Sequence, residues 1–378
     1  MQPTQRVDRK PALEVSLELA VRRWKVALGS ASRANPTVFS VDAQDLWDRL
    51  QQLVQRLAEF KAKWGLTAGC RVALIYEAGQ DGFWIARALQ AEGVQVIVVD
   101  PASVPVARHA RRVKTDRLDA LKLLEVLRAW LRGECGELRV LHIPSEAAEA
   151  QRLMTRERGL LQKEINQHVD RIVKRLRLYG CSQGVDASFA QRLTAGQIRQ
   201  ADGRPLPEEL WDWLMRECER LELARRQLRA VEKALLPQLP EQQRSKIAAL
   251  DRLDGIGWVG ATRLVLELFW RDFANRRQVG ACVGLVPQPY DSGDSHVDQG
   301  ISKQGNRRVR SLLIEMAWFW LRYQPASEIS QWFARRTSGA GKRGKRIAIV
   351  AVARRLAIAL WRYLRDGVVP AGATLHKA

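Results

Sequence analysis

The sequence predicts a mixed α/β domain, then long helical arms, then a mainly α-helical C-terminal domain. Three observations carry this expectation. Over the first 140 residues, period-2 alternation and short apolar runs are interleaved with helical spacing. Residues 145 to 235 hold two stretches of helical periodicity rich in Glu, Arg, Leu and Gln. A further helical pattern starts at Ile247 and is broken by one polar segment, PQPYDSGDSHVDQG, expected to be irregular. The expected boundaries are 12–140 for the α/β domain, 141–245 for the arms and linker, 246–366 for the C-terminal domain and 367–378 for a flexible tail.

In the α/β domain, Leu13, Val15, Leu17 and Leu19 alternate with Glu14, Ser16 and Glu18, and WKVALGS follows a short VRR break, so two adjacent strands in a hairpin are expected. Asp42 to Lys63 switches to helical spacing. Arg71 to Tyr76 reads as a buried strand ending at Glu77, Phe83 to Ala91 as a helix, and Val94 to Val99 as a second buried strand closed by Asp100 and Pro101. A further helix starts near Thr115, a suitable N-cap. The two arms, SEAAEAQRLMTRERGLLQKEINQHVDRIVKRLRL and LPEELWDWLMRECERLELARRQLRAVEKALL, fit either an antiparallel hairpin or coiled-coil arms.

Charge directs attention to the partner. The chain of 378 residues carries 62 Lys and Arg against 41 Asp and Glu, a net +21. Residues 301 to 378 hold sixteen of the cations against three acids, a net +13. Phosphate backbones reward such excess by counterion release, so nucleic acid is the leading partner and membrane a weaker one. No secretory segment or membrane span is visible, which places the chain in the cytosol. Five cysteines at least 37 residues apart offer neither a CxxC metal pair nor a disulfide framework, so a bound metal would take oxygen ligands.

Two regions carry chemistry. In RRVKTDRLDALKLLEVLR, Asp116 and Asp119 sit three residues apart at a helix start, sharing one face where the helix dipole favours their charge. Glu18 and Glu77, on or at the ends of strands, can join them in one crevice as a ligand set for two Mg²⁺ ions. Capping and solvation compete with that reading, and Glu14 and Asp100 are alternative acids. Arg108, Arg111, Arg112, Lys114 and Arg117 surround the Asp pair with charge suited to a phosphate. No GxGxxG or GxxxxGK[ST] follows a strand, which disfavours a nucleotide-cofactor fold. In the C-terminal region, Gly255 and Gly257 of LDGIGWVGA form either a helix-hairpin-helix turn that grips a phosphate backbone or an ordinary tight helix connection. Ser292, Ser295 and His296 lie in the polar segment. Lys303 follows, and Arg307, Arg308 and Arg310 enter the next helix with charge for phosphates.

Taken in order, LELAVRRWKVAL, YEAG, VVDP, RRVKTDRLDA, LDGIGWVGA and GLVPQPYDSGDSHVDQGISKQGNRRVR resemble the IS110/IS1111 family of insertion-sequence transposases, RNA-guided bridge recombinases, over roughly residues 13 to 365. The resemblance implies a RuvC-like (RNase H-like) DEDD domain whose acids are Glu18, Glu77, Asp116 and Asp119, with Glu18 standing where the family has Asp. It also implies a nucleophilic Ser292 and two Mg²⁺ ions, replaceable by Mn²⁺. The implied partners are donor and target DNA, a noncoding bridge RNA, and further copies of the chain as a homodimer assembling into a homotetramer. Such an enzyme is expected in the cytoplasm with the nucleoid. Two other classes fit part of the sequence: a RuvC-like nuclease or junction resolvase needs the acids but not Ser292, and a noncatalytic nucleic-acid-binding protein needs only the basic charge and the arms.

Overall fold

In the computed structural model, residues 12–30, 33–67, 69–79, 82–105, 115–134, 136, 138–292 and 295–376 are described, the stretches 289–292 and 295–298 by their backbone alone. The chain divides into two compact units, Met1–Ser145 and Glu146–Ala378.

The first unit is a five-stranded mixed sheet. Its strands are β1 (Ala12–Leu19), β2 (Trp24–Ser30), β3 (Thr37–Val41), β4 (Arg71–Glu77) and β5 (Gln95–Val99), in spatial order β3-β2-β1-β4-β5. β2 runs antiparallel to β1 and β3, while β1, β4 and β5 are mutually parallel. The helices are α1 (Leu46–Lys63), α2 (Trp84–Ala91) and α3 (Asp116–Leu131). This arrangement is consistent with an RNase H-like core. The expected hairpin is present, and β3 is an element that the sequence reading passed over, because TVFSV after Pro36 is short, at the sheet edge and mostly half-buried.

Alternation along β1 divides the sheet into two faces. Leu13, Val15 and Leu17 join Val72, Leu74 and Tyr76 under α1 and α2. Ala73, Ile75, Ile97 and Val99 face the other way, packed on Ala120, Leu123, Leu124 and Leu127 of α3. Caps fix the helix starts: Asp45 accepts from the Trp47 and Asp48 amides ahead of α1, and Thr115 accepts from the Leu118 amide at 3.3 Å ahead of α3.

In the second unit, α4 (Glu146–Arg177), α5 (Phe189–Thr194) and α6 (Glu208–Leu235) build the arms. Arg158 pairs with Glu232 while Arg171, thirteen residues on, pairs with Glu217, so α4 and α6 are antiparallel. Between the two alternatives the sequence left, the structure takes the hairpin. Its core is Ile165, Ile172 and Leu176 on Leu210, Leu214 and Leu221, closed at the tip by Phe189 and Leu193.

The chain continues through α7 (Glu241–Asp251), α8 (Gly257–Glu267), α9 (Arg276–Cys282), β6 (Pro287–Ser292), β7 (Ser295–Ile301), α10 (Arg307–Tyr323), α11 (Glu328–Thr337) and α12 (Lys342–Asp366). Leu250, Leu264, Val279, Leu313, Trp320, Val352 and Leu356 form its core. The segment expected to be irregular is instead an antiparallel hairpin, β6 on β7, with a register shift between Pro287 and Pro289. Its two prolines and polar side chains obscured an ordinary strand pairing. The segment expected as a flexible tail is held through residue 376: Leu375 bridges to Leu253, and the Gln324 side chain donates to the carbonyls of Asp254 and Thr374 at 3.1 and 2.8 Å.

Candidate active site

The first unit brings acidic residues to one end of one face. Ser16 Oγ donates to the Ala120 carbonyl at 2.6 Å, and Arg128 Nε donates to Glu14 Oε2 at 2.7 Å, which aligns α3 antiparallel along β1 on this face. Moving from Glu14 through Ser16 to Glu18 therefore follows α3 from Arg128 through Ala120 toward Asp119 and Asp116. Glu18 and Glu77 lie one step beyond the Leu17–Tyr76 pairing of β1 with β4. Adjacent strands are about 4.8 Å apart, so the two glutamates end neighbouring strands on the face that α3 covers. Ligand sites of open α/β sheets fall in this position, outside the carboxyl ends of parallel strands.

Asp116 is exposed and Asp119 half-buried in the first turn of α3. Among the described residues, no group of three or more His, Cys, Asp or Glu side chains lies close enough to hold a metal ion as placed. The expected four-acid ligand set is thus brought to one face and one end, short of a formed coordination shell. Arg108, Arg111, Arg112 and Lys114 lie outside the described residues.

The alternative acids have other work. Glu14 is buried and ion-paired with Arg128. Asp100 caps the short 3₁₀ turn Pro101–Ser103 by accepting from the Ala102 amide, and pairs with Arg139 at 3.5 Å.

In the second unit, Ser292 ends β6 directly opposite Ser295 in the backbone register of the hairpin, with Asp291 opposite His296. The two glycines of the GIG turn differ. Both have positive φ, 88° at Gly255 and 65° at Gly257. A Cβ at Gly255 would lie 3.2 Å from the Phe319 carbonyl oxygen, so this glycine serves the packing of the turn on α10. A Cβ at Gly257 would meet nothing within 4 Å, and this first residue of α8 is exposed, so packing does not account for it as it does for Gly255.

Asn306 caps α10 by accepting from the Arg308 and Val309 amides. Arg307 and Arg308 are exposed in a first turn that holds no acid, a placement opposed by the helix dipole and relieved by an anion. Arg310 departs from expectation: its guanidinium donates to the carbonyls of Val283 and Lys303 at 3.2 and 3.0 Å, and burial, reinforced by Arg307, pushes its pKa down. It holds the loop. Lys303 is exposed and sits in the left-handed region at φ 54°, a strained position fixed by that same loop.

One residue the sequence reading missed is Glu267. Buried beneath the start of α10, it accepts from Arg156 at 2.8 and 3.2 Å and from Asn306 at 3.3 Å. Burial pushes its carboxyl up, but these hydrogen bonds and the charge of Arg156 outweigh it and hold the pKa below the ordinary carboxylate range. It thereby ties the first arm to the cap that presents Arg307 and Arg308. In sequence it is one Glu within VLELF, and only its apolar surroundings hint at burial.

Residues 36–180 match a transposase family model, the DEDD transposase of IS110 type, and residues 247–331 match the transposase IS116/IS110/IS902 family. The protein described as "Putative transposase y4rJ" of Sinorhizobium fredii is 40% identical over 378 residues, covering 96% of this chain and 94% of the relative. The transposase for insertion sequence element IS1111A of Coxiella burnetii is 26% identical over 340 residues, 86% of each chain. That for IS1328 of Yersinia enterocolitica is 25% identical over 307 residues, 79% of this chain and 85% of the relative. The class so defined is a DNA-acting transposase or recombinase. The chain belongs to the IS110/IS1111 family of transposases. Among the described residues, no helix is long and apolar enough to cross a membrane.

Proposed function

We propose that the chain recombines DNA through a transient phosphoserine linkage formed by Ser292 and assisted by a RuvC-like acidic site of Glu18, Glu77, Asp116 and Asp119. What supports this reading is the placement of the acids toward one end of the α3 face: two at neighbouring strand ends, two in the first turn of the helix packed on that face. Four carboxylates suit a hard cation that prefers oxygen, and their mutual repulsion is relieved only by positive charge. Mg²⁺ held there supplies charge neutralisation for the scissile phosphate and the leaving oxygen. Glu18 is preferred to Glu14 by position: Glu14 lies beside Arg128, far along α3 from the first turn that carries Asp116 and Asp119.

The Ser292 hydroxyl attacks phosphorus, forming a serine–phosphate ester as the P–O3′ bond breaks, and the hydroxyl proton ends on the departing 3′ oxygen. Attack by a 3′ hydroxyl from the exchanged strand reverses the step and restores a phosphodiester. Gly257, Lys303, Arg307 and Arg308 hold backbone phosphates, and Arg111, Arg112 and Lys114 are assigned to the same task beside the acids. A noncoding RNA supplies sequence choice by base pairing with donor and target, leaving the protein to read backbone and shape. Copies of the chain act together, as a dimer that assembles into a tetramer around two duplexes, within the cytoplasm and at the nucleoid.

The test is Asp119→Asn in a purified RNA–protein complex. It deletes a ligand charge with little change of volume, so cleavage should fall by about 100-fold while binding and melting are retained. Normal recombination by this variant in Mg²⁺ would remove the acids from the mechanism.

A further inference from the structure

The second unit contains a groove of about 1150 Å³ between α12, α9, α11 and the base of the β6–β7 hairpin. Among the described residues, eight cations line it, Arg343, Arg346, Arg354, Arg355 and Arg362 from α12 joined by Arg276, Arg277 and Lys303, against one acid, Glu328. None of the eight is ion-paired among the described residues, whereas the arms pair Arg158 with Glu232 and both Arg171 and Arg220 with Glu217. The Arg354 Nε is buried without a hydrogen-bond partner, and it lies so close to Gly280 that a Cβ there would be 3.2 Å away. From Arg343 to Arg362 the groove follows α12 for about 28 Å at 1.5 Å per residue. Like charges at this density repel, a cost that a bound polyanion removes.

The floor is apolar. Ile347 is 61% exposed and Val368 59%, both within the groove, beside Val350, Ile358 and Trp332, the last with Arg355 stacked at 4.1 Å from its ring centroid. A duplex presents mainly phosphates and sugars to such a surface and leaves the apolar floor wet. A single strand can place phosphates on the arginine rims and flat bases on the floor. We infer that this groove holds a single-stranded polynucleotide segment. The inference rests on the proposed function and extends it to a groove within the second unit.

The test uses the full chain and labelled oligonucleotides of about 16 nucleotides, the upper site size of comparable grooves, as single-stranded RNA, single-stranded DNA and duplex DNA. In the Arg343→Gln/Arg346→Gln/Arg362→Gln variant, affinity for single strands should fall at least roughly tenfold. The slope of log affinity against log salt should flatten by about 2, at 0.7 per lost contact. All three side chains are exposed, so melting should be unchanged. Ile347→Asp should weaken single strands more than duplex, and a 4-thiouracil-bearing strand should photo-crosslink to peptides containing Trp332 or Ile347. The RNA and DNA arms identify which strand is preferred. Unchanged affinity and slope in the triple variant, equal losses on duplex, or crosslinks confined to other peptides would overturn the inference. Equilibrium binding needs no cleavage, so failure of the Ser292 mechanism would leave these results intact, and a recombining chain with unaffected groove variants would reject the groove alone.

Discussion

Glu14 and Glu18 occupy the same face of one strand, yet their replacement by Gln should fail in different ways. The Glu14 side chain is 11% exposed and its partner Arg128 23%, with the ion pair at 2.7 Å. Removing one partner of a fully buried pair costs about 3–5 kcal/mol. Gln keeps an acceptor for the Arg128 Nε–H, and the pair retains some solvent, so about 2–3 kcal/mol is expected for Glu14→Gln. In a unit of about 145 residues, at roughly 3–4 °C per kcal/mol, the melting transition should drop by about 8 °C. Glu18→Gln, at the strand's carboxyl end, should change melting by less than about 2 °C but lower cleavage by about 100-fold, equivalent to about 3 kcal/mol of lost transition-state stabilisation. Calorimetry and single-turnover cleavage on the same preparations separate the two effects. A Glu14→Gln protein that melts normally and cannot cleave, beside an active Glu18→Gln protein, would refute the assignment and move the first acid to Glu14.

Further outcomes follow from the second unit. Glu217 is buried in the arms; burial pushes its carboxyl up, but hydrogen bonds involving His168, Arg171 and Arg220 hold it below the ordinary value. A depressed carboxylate stabilises fully above the unfolded pKa, about 4.3, and that contribution is lost as pH falls through the lower folded value. Acid melting of the arms between about pH 5 and pH 3 should therefore be flatter in Glu217→Gln; an unaltered profile would remove this carboxylate as its source. Arg307→Gln/Arg308→Gln should flatten the salt slope for duplex DNA by about 1.8, whereas Arg310→Gln should lower stability by about 2 kcal/mol through its two lost carbonyl contacts, so equal effects of the two replacements would contradict their separate roles. Gly255→Ala should destabilise by about 2 kcal/mol, and Gly257→Ala by about 1 kcal/mol with weaker DNA binding; the reverse order of melting losses would contradict the packing at Phe319.

The first unit was legible because its core follows local periodicity. Leu13, Val15 and Leu17 alternate, the β4 and β5 runs are continuously apolar, and Asp45 and Thr115 cap helices at sequence-visible positions. β3 escaped because an edge strand needs little apolar content, and β6–β7 because two prolines and a polar tip resemble a loop. At the candidate site, spacing along the chain suggested that the acids share one end, but it could not distinguish Glu14 from Glu18. That distinction depends on Arg128, 114 residues away from Glu14. For the same reason Arg310 cannot be told from Arg307 and Arg308 by sequence: it is the carbonyls of Val283 and Lys303 at its guanidinium that set it apart. Glu267 and the groove along α12 likewise arise from tertiary packing, which joins residues from several elements with no common motif.

The central claim is covalent chemistry at Ser292. Suicide DNA substrates that release the leaving strand should trap the linkage, and digestion followed by mass spectrometry should find a nucleotide on the peptide containing Ser292, with no adduct from Ser292→Ala and normal adduct from Ser295→Ala. DNA attached to another residue, or full recombination by Ser292→Ala, would contradict the account and favour a water-using nuclease at the acidic face.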